Sequence, residues 1–378
     1  MKKIIIVFSL VLLIVITGCT SNRKNFYRLD LGNSFNTISE IQIVDELKVI
    51  PVSKILKLQE DSKEILVSLD KLFNVQERDN FSYLTDLKKV NNNAGVSPVI
   101  VDSEVYDLVK YAHSISLLEG YENIFDISIG ALISLWDLNS KLYIESENNL
   151  YEIPSEIDIS NALLKTDESK VIFNDIDKSI FLEDSDMRLD LGAVVKGYAA
   201  EKIKDYLVSE GITSAVVNVG RNILLIGLNK GEEWNVKIQT PFVDIGQTGY
   251  YFGSIKTSDL ALVTSGVYEK YMMSLDNKIY HHLLNPKTGY PFDNGLLAVS
   301  IISSDSTYAD IMSTFVFGLG LIDGINYVEE DELLEAIFVY DNGTEKEIYV
   351  SSGLIDKFIF NEEVSSINYI YKGLMNYE

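Results

Sequence analysis

Helical and strand-like hydrophobic periods follow one another along this chain without a regular strand–helix–strand alternation, and this order restricts the fold more than any other feature. Apolar residues recur every three or four positions in residues 61–75, 103–120 and 307–324, which predicts amphipathic helices. Strand patterns occupy residues 35–50 and the two strand pairs 214–227 and 335–353. A doubly wound parallel sheet needs alternating units, so this order predicts an α+β fold.

The first residues, MKKIIIVFSLVLLIVITGCT, combine a basic start with an apolar run and small residues before Cys19. The run is shorter than a bilayer requires, which favours a secretory signal over an uncleaved anchor helix. Cys19 is the only cysteine, so it cannot form an internal disulfide. The sequence around it resembles a bacterial lipobox, which implies cleavage after Gly18 and diacylation of Cys19.

These features predict a signal peptide over 1–18, a tether over 19–32 and a chain held by lipid on the extracytoplasmic face of the cell membrane. The folded domain is expected over 33–355, with a C-terminal extension over 356–378.

The chain is strongly acidic, with a formal net charge of −24 that falls to −26 once Lys2 and Lys3 are removed. Such a charge repels nucleic acid and anionic lipid headgroups, so we expect neither as an electrostatic partner. An acidic protein that handles phosphates needs a cation, usually a divalent metal.

Asp310 and Thr314 lie four residues apart on the predicted helix 307–324. This spacing places a carboxylate and a hydroxyl on one helix face, where they can share Mg²⁺ if a backbone carbonyl and substrate phosphates complete its shell. The alternative is that Thr314 bonds back to the carbonyl of Asp310 while the carboxylate lies in water.

The segment DLGAVVKG (190–197) is a turn into a helix, where backbone N–H groups and Lys196 can attract a phosphate. The alternative is that Asp190 simply caps the helix. Asp126 is the single acidic residue of an apolar run, so it either caps a local turn or meets a ligand. No dinucleotide or P-loop motif is present.

Two of the three histidines stand together in HHLLNPKTGYPF (281–292), while His113 lies in a predicted helix and is interpreted as a surface residue. An imidazole that titrates near neutrality is suited to proton transfer, and His282 is the candidate base. In an extended chain, the side chain of His281 points to the opposite side.

Six segments resemble, in order, the FAD:protein FMN transferase (ApbE-type) family: FDISIGALISLW, DLGAVVKGYAAEKI, VVNVGRNILLIG, VTSGVYEKYM, YHHLLNPKTGYPF and ADIMSTFVFGLG. The resemblance runs from about residue 33 to 355. It implies mixed or antiparallel sheets flanked by helices, FAD as flavin donor, Mg²⁺, and a phosphoester between FMN and a Thr or Ser of an acceptor flavoprotein. Typical acceptors are subunits of membrane redox complexes or extracytoplasmic flavin domains.

The resemblance also implies a set of site residues. The Mg²⁺ ligands are expected to be the Ala193 carbonyl, Asp310 and Thr314. The expected FAD contacts are Phe35, Tyr83, Phe125, Asp126, Ile127, Asp190, Lys196 and Leu284. His282 heads the family's H-x-x-D/N-P-x-T-G run.

Three positions depart from the family pattern: Asn285 stands where Asp is frequent, Gly220-Arg221-Asn222 replaces Gly-Gly-Asp, and Phe35 stands where Met is common. The departures at Asn285 and Arg221-Asn222 leave open a lipoprotein that binds or hydrolyses FAD without modifying a protein. A solute-binding lipoprotein is a further alternative that fits the lipid anchor but not the metal pair.

Overall fold

A computed structural model describes residues 26–75, 84–144, 147–244 and 246–374, and it confirms an α+β fold. The helices are α1 Val52–Phe73, α2 Asp86–Asn92, α3 Ser103–Ser116, α4 Gly130–Trp136, α5 Glu156–Leu163, α6 Val195–Ser209, α7 Ser306–Leu319 and α8 Leu321–Glu330. The strands are β1 Phe26–Ser34, β2 Thr37–Val44, β3 Val99–Ile100, β4 Leu150–Tyr151, β5 Val171–Asn174, β6 Ser179–Leu182, β7 Ala215–Val219, β8 Asn222–Ile226, β9 Trp234–Gln239, β10 Tyr251–Thr257, β11 Ala261–Gly266, β12 Tyr271–Ser274, β13 Ile279–His281, β14 Leu296–Ser303, β15 Glu335–Asp341, β16 Lys346–Val350, β17 Phe358–Phe360 and β18 Tyr369–Gly373.

The framework is a nine-stranded sheet in the order β1-β2-β7-β8-β11-β14-β15-β16-β18. All of its neighbours are antiparallel except β16 and β18, which are parallel. In β2, Ile41 and Ile43 are buried while Ile38 is exposed, because alternate side chains of a strand point to opposite faces. Three smaller three-stranded sheets surround this framework.

Two helices, α6 and α7, pack on the main sheet and on each other, and they position the residues of the site. α7 packs on β11 and β14, and α6 packs on β7, β8 and α7. Ten residues of α7 are buried, among them Asp310, so this helix runs through the hydrophobic core with a carboxylate inside it. A buried carboxylate needs partners, and the close approach of α6 supplies them.

Gly197 in α6 is required for that approach. A Cβ atom there would lie 2.1 Å from the carbonyl oxygen of Ser306 and 2.7 Å from Cβ of Asp310. Because neither atom is the end of a flexible side chain, we expect Gly197→Ala to lower the free energy of unfolding by about 2–3 kcal/mol. Denaturant unfolding measures this loss, and a variant with wild-type stability would show that α6 and α7 can separate without cost.

The folded part extends beyond the predicted boundaries at both ends. β1 begins at Phe26, inside the predicted tether 19–32, and pairs with β2. β17 and β18 fall in the predicted C-terminal extension 356–378, and β18 joins the main sheet beside β16. Both segments carry strand pairing that a tether or an extension would lack.

Two predicted helices have different bounds. The helix predicted over 61–75 begins earlier, at Val52. The helix predicted over 307–324 is two helices, because Gly320, with a φ of +82°, ends α7 and stands directly before α8. Positive φ is accessible to glycine at little cost. Within the part of the chain that the structure describes, no helix combines the length and apolarity that a membrane crossing requires.

Candidate functional site

A cavity of about 400 Å³, here called the main cavity, opens between α6, α7, the end of β11 and the segment that follows β13. Ten of the predicted site residues line it: Phe35, Phe125, Asp126, Asp190, Ala193, Lys196, His282, Leu284, Asp310 and Thr314. These residues are up to 279 positions apart in sequence and meet only through the sheet order.

Asp310 is 2% exposed and anchors the floor of the main cavity. Its Oδ2 accepts a 2.8 Å hydrogen bond from the backbone N–H of Gly197, and its Oδ1 lies 3.7 Å from Nζ of Lys196. Nζ of Lys196 also donates to the side-chain oxygen of Asn222 at 3.3 Å. One carboxylate and one ammonium group are therefore held side by side, facing the space where a ligand would lie.

The alternative in which Thr314 bonds back to a solvated Asp310 is wrong. The hydroxyl that donates to the Asp310 carbonyl belongs to Ser313, at 2.8 Å, and Asp310 is buried. The Thr314 hydroxyl instead lies 3.2 Å from Oγ of Ser265 on β11. Asp310 and Thr314 therefore share the cavity-facing side of α7.

Asp190 does not cap α6, because the N-cap position is Val194 and carries no side-chain cap. The carboxylate of Asp190 accepts the N–H of Gly192 at 2.7 Å and shapes the turn before the helix. Burial raises the pKa of Asp190. The turn therefore brings a carboxylate and the first residues of α6 to the same wall of the main cavity.

His282 lines the main cavity and is held through Nδ1, which lies 3.2 Å from the carbonyl oxygen of Lys270. A carbonyl oxygen only accepts, so Nδ1 carries the proton of the neutral ring and Nε2 is left as an acceptor. Burial, helped by the ammonium group of Lys270, lowers the pKa of His282 to about 3. This pKa lies well below the neutral range that the sequence-based expectation assumed.

His281 has a different position, as predicted. Its Nε2 donates to the carbonyl of Phe292 at 2.9 Å, and its Nδ1 accepts from the N–H of Leu283 at 3.3 Å. With both ring nitrogens engaged, His281 holds the loop that carries its neighbour.

Asp126 caps a local turn and also faces the space where a ligand would lie, so both predictions for it are compatible with the structure. Its Oδ1 accepts the N–H of Ser128 at 2.6 Å, which is a local turn, while its buried Oδ2 has no hydrogen-bond partner although the side chain lines the main cavity. Burial raises the pKa of Asp126 to about 7, and the charge of Glu168 contributes in the same direction. The free oxygen is a candidate contact for a hydrogen-bond donor of a ligand.

We expect Asp126→Asn to stabilise the protein in a pH-dependent way. Because the folded-state pKa of Asp126 lies above the unfolded value, ionisation costs stability progressively as pH rises from about 4 to 7, and the full cost persists above pH 7. Removing the charge should add roughly 3 kcal/mol to the free energy of unfolding at pH 8 and little at pH 4.

Denaturant titrations at both pH values provide the measurement, and Asp356→Asn, an exposed change, is the control. An equal effect of Asp126→Asn at pH 4 and pH 8 would contradict the raised pKa.

Of the predicted site residues that the structure describes, only Ile127 does not line the main cavity. Ile127 is buried in the core, and its carbonyl accepts the N–H of Asp190 at 2.9 Å, so it supports the site from behind. Tyr83 and Cys19 lie outside the residues that the structure describes.

Sequence reasoning missed Glu269 and Lys270, which follow β11 and line the main cavity. Oε1 of Glu269 is buried without a hydrogen-bond partner and lies 4.0 Å from Nη1 of Arg221. Burial raises the pKa of Glu269, whereas burial and the nearby Lys196 lower the pKa of Lys270. Adjacent opposite charges in VTSGVYEKYM, in a chain segment otherwise typical of a buried strand, were the signal that could have identified them.

At two of the departures the amide oxygen is a hydrogen-bond acceptor. Oδ1 of Asn285 accepts the N–H of Lys287 at 2.8 Å within its own turn, and Oδ1 of Asn222 accepts from Lys196. Phe35, at φ +52°, turns the chain between β1 and β2, and its N–H donates to Asp70 at 3.0 Å.

The family model described as "ApbE family" matches residues 35–338, which is most of the chain. The chain belongs to the ApbE family. A protein of Klebsiella pneumoniae (strain 342) named FAD:protein FMN transferase is 35% identical over 263 residues, covering 70% of this chain and 76% of the relative. One of the same name from Treponema pallidum (strain Nichols) is 31% identical over 281 residues, covering 72% and 74%.

Solved structures agree on the fold of this ApbE family member. The flavin transferase ApbE of Vibrio cholerae superimposes with a TM-score of 0.71 at 21% identity, covering 88% of this chain and 99% of that one. The ApbE protein of Thermotoga maritima gives a TM-score of 0.71 at 28% identity, covering 87% and 98%. The predicted ApbE-like architecture is therefore confirmed.

Proposed function

We propose that this protein is an FAD:protein FMN transferase, which moves FMN from FAD to a hydroxyl of an acceptor protein and releases AMP. The observation that carries the proposal is the meeting of Asp310, Lys196, Thr314 and His282 in one cavity of an ApbE family member. Relatives that carry this name match the chain over more than two thirds of its length.

The reaction forms one phosphoester bond and breaks one phosphoanhydride bond. The acceptor oxygen attacks the FMN-side phosphorus, and the bridging oxygen leaves with AMP. Negative charge on the diphosphate is the main obstacle, and the ammonium group of Lys196, positioned by Asp310 and Asn222, lies where it can neutralise that charge.

The acceptor hydroxyl must lose its proton during the attack. His282 is suited to take it at Nε2, because Nδ1 is fixed on the Lys270 carbonyl. A bound diphosphate adds negative charge beside Lys196 and Lys270, whose positive charges lower the pKa of His282. Substrate binding would therefore offset part of this lowering, and the ring would remain neutral and able to accept a proton above pH 5.

We propose that Ala193, Asp310 and Thr314 hold Mg²⁺ in the working enzyme. They offer a backbone carbonyl, one carboxylate and one hydroxyl, all hard oxygen donors. Mg²⁺ in nucleotide sites usually takes one or two carboxylates and completes its shell with phosphates and water. Among the described residues no three His, Cys, Asp or Glu side chains form a metal cluster. One carboxylate, one hydroxyl and one carbonyl leave the other coordination positions to phosphate and water, so the donor set fits a metal that binds with the substrate. When bound, Mg²⁺ would supply charge neutralisation on the diphosphate.

The test is incubation with FAD, MgCl₂ and a flavin-accepting domain that another FAD:protein FMN transferase modifies, followed by intact mass of that domain. We expect the mass of one FMN ester to appear and to be lost with EDTA or when the acceptor hydroxyl residue is replaced by alanine. FMN and AMP without labelled protein would instead identify an FAD hydrolase.

The acceptor is proposed to be a flavin-carrying subunit of a membrane redox complex or an extracytoplasmic flavin domain. The sequence around Cys19 supports a lipid anchor on the extracytoplasmic face of the cell membrane. We expect Cys19→Ser to move the protein from the membrane fraction to the soluble fraction without a change in transfer rate. Fractionation of cells that express both forms measures this, and equal membrane retention would contradict acylation.

A further inference from the structure

A second depression, here called the rim groove, opens from the mouth of the main cavity. It shares Asn36, Thr37, Gly220 and Arg221 with the main cavity and continues over Arg28, Asn33, Ile38, Glu40 and Asn218. These residues belong to β1, β2, β7 and the turns that follow them. The register pairs Asn33 with Ile38 and Glu40 with Asn218, so the groove crosses three neighbouring strands.

The passage between the main cavity and the rim groove is a fixed structure. A Cβ atom on Gly220 would lie 2.5 Å from Thr37, so the turn between β7 and β8 rests directly on the turn between β1 and β2. The N–H of Arg221 donates to Oδ1 of Asn218 at 2.9 Å, and the first turn is tied to α1 through Phe35 and Asp70. The groove therefore keeps a constant position relative to the site.

The groove has the chemistry of a site for extended polypeptide. Ile38 is 73% exposed, lines the groove opposite Asn33 in the strand register and offers an apolar contact. The side chains of Asn33 and Asn218 carry donors and acceptors of the kind that hydrogen-bond a peptide backbone. Arg28 and Glu40 form an ion pair with each other, so the floor offers no strong field for an anionic nucleotide.

Arg221 lies at the junction with φ +75°, a left-handed conformation that glycine adopts freely and that costs other residues roughly 1 kcal/mol. Its side chain is 57% exposed and reaches toward Glu269 in the main cavity. Strained backbone is often found at ligand-binding positions, where the surrounding structure enforces it. Arg221 lines both the rim groove and the main cavity, so its guanidinium group lies beside the route between them.

We propose that the rim groove binds the acceptor polypeptide in an extended conformation, so that its hydroxyl residue passes Arg221 into the main cavity. This inference rests on the proposed function, because it assumes that a protein hydroxyl must reach the main cavity from outside. It assigns acceptor recognition to the part of β1, β2 and β7 that lies beyond the four residues shared with the main cavity.

The test separates acceptor binding from FAD binding. Ile38→Arg places a charge in the groove on an exposed position, so it should fold normally. We expect KM for the flavin-accepting domain to rise at least tenfold, kcat to stay within twofold, and Kd for FAD to be unchanged. Ile38→Leu keeps an apolar side chain and should keep the wild-type KM. Asn33→Ala should raise KM by a smaller factor than Ile38→Arg does.

Ile100→Arg is the matched control, since Ile100 is 69% exposed on β3 and lines neither the main cavity nor the rim groove. It should leave KM, kcat and Kd at wild-type values. If the wild type labels the domain and Ile38→Arg does so with unchanged KM, the groove proposal is overturned and the proposed function stands. If the wild type binds FAD but labels no acceptor, the proposed function fails and the groove proposal fails with it.

Discussion

Replacing Asp310 by asparagine is expected to lower FMN transfer about a thousandfold, which corresponds to roughly 4 kcal/mol of lost transition-state stabilisation. The physical reason is the position of this one carboxylate. It lies 3.7 Å from Nζ of Lys196 and is fixed by the N–H of Gly197. An amide can still accept from Gly197, but it neither balances the ammonium charge nor binds a divalent cation strongly.

The measurement combines single-turnover labelling with FAD binding at several MgCl₂ concentrations. We expect Asp310→Asn to fold, to bind FAD more weakly and to lose the dependence of binding on Mg²⁺. Asp323→Asn, an exposed change at the start of α8, is the control and should transfer FMN normally. A variant at Asp310 with wild-type transfer and Mg²⁺ dependence would remove this residue from the proposed metal set.

His282→Ala is expected to lower transfer by about 10²–10⁴-fold while FAD still binds, because the proton of the acceptor hydroxyl loses its acceptor. His282→Asn is the sharper variant, since its amide can still donate to the Lys270 carbonyl but cannot take a proton. His113→Ala removes a histidine outside the main cavity and serves as the control. If His282→Asn transfers FMN at the wild-type rate, His282 is not the base.

The pH dependence distinguishes this base from an ordinary imidazole. The pKa of His282 is lowered to about 3, so the ring stays neutral and available from pH 5 to pH 8. We expect the ratio of wild-type to His282→Ala rates to be constant across that range. If the ratio falls toward one below pH 6.5, the pKa of His282 in the reacting complex lies near the usual value for histidine.

Local sequence patterns predicted several helices and strands correctly. They failed where contacts with distant segments decide where an element begins or ends. The strand pair of 335–353 and the helix of 103–120 follow from strand alternation and helical spacing of apolar residues. β1 was missed because its polar, charged residues alternate with only a few apolar ones, and pairing with β2 is what makes it a strand. The break at Gly320 was missed because an apolar helix pattern continues across it.

Some residues of the candidate site were also predicted from the sequence, and others were not. Motif order identified Asp310, Thr314, Lys196 and His282, and the fold brings all four to the main cavity. Glu269 and Lys270 were missed because a charged pair after a buried strand is usually a solvated turn. Ile127, a predicted FAD contact, packs in the core and does not line the main cavity, since neighbours of a binding residue on a tight turn alternate between cavity and core.

From the sequence alone came the α+β class, the family resemblance and the proposed oxygen donors, because these depend on residue type and short-range spacing. Tertiary structure alone decided the lowered pKa of His282, the raised pKa of Asp126 and the rim groove beside Arg221. Each of these depends on burial and on charges brought from distant segments. A group's solvation and electrostatic surroundings are properties of the packed molecule, which no local pattern of residues encodes.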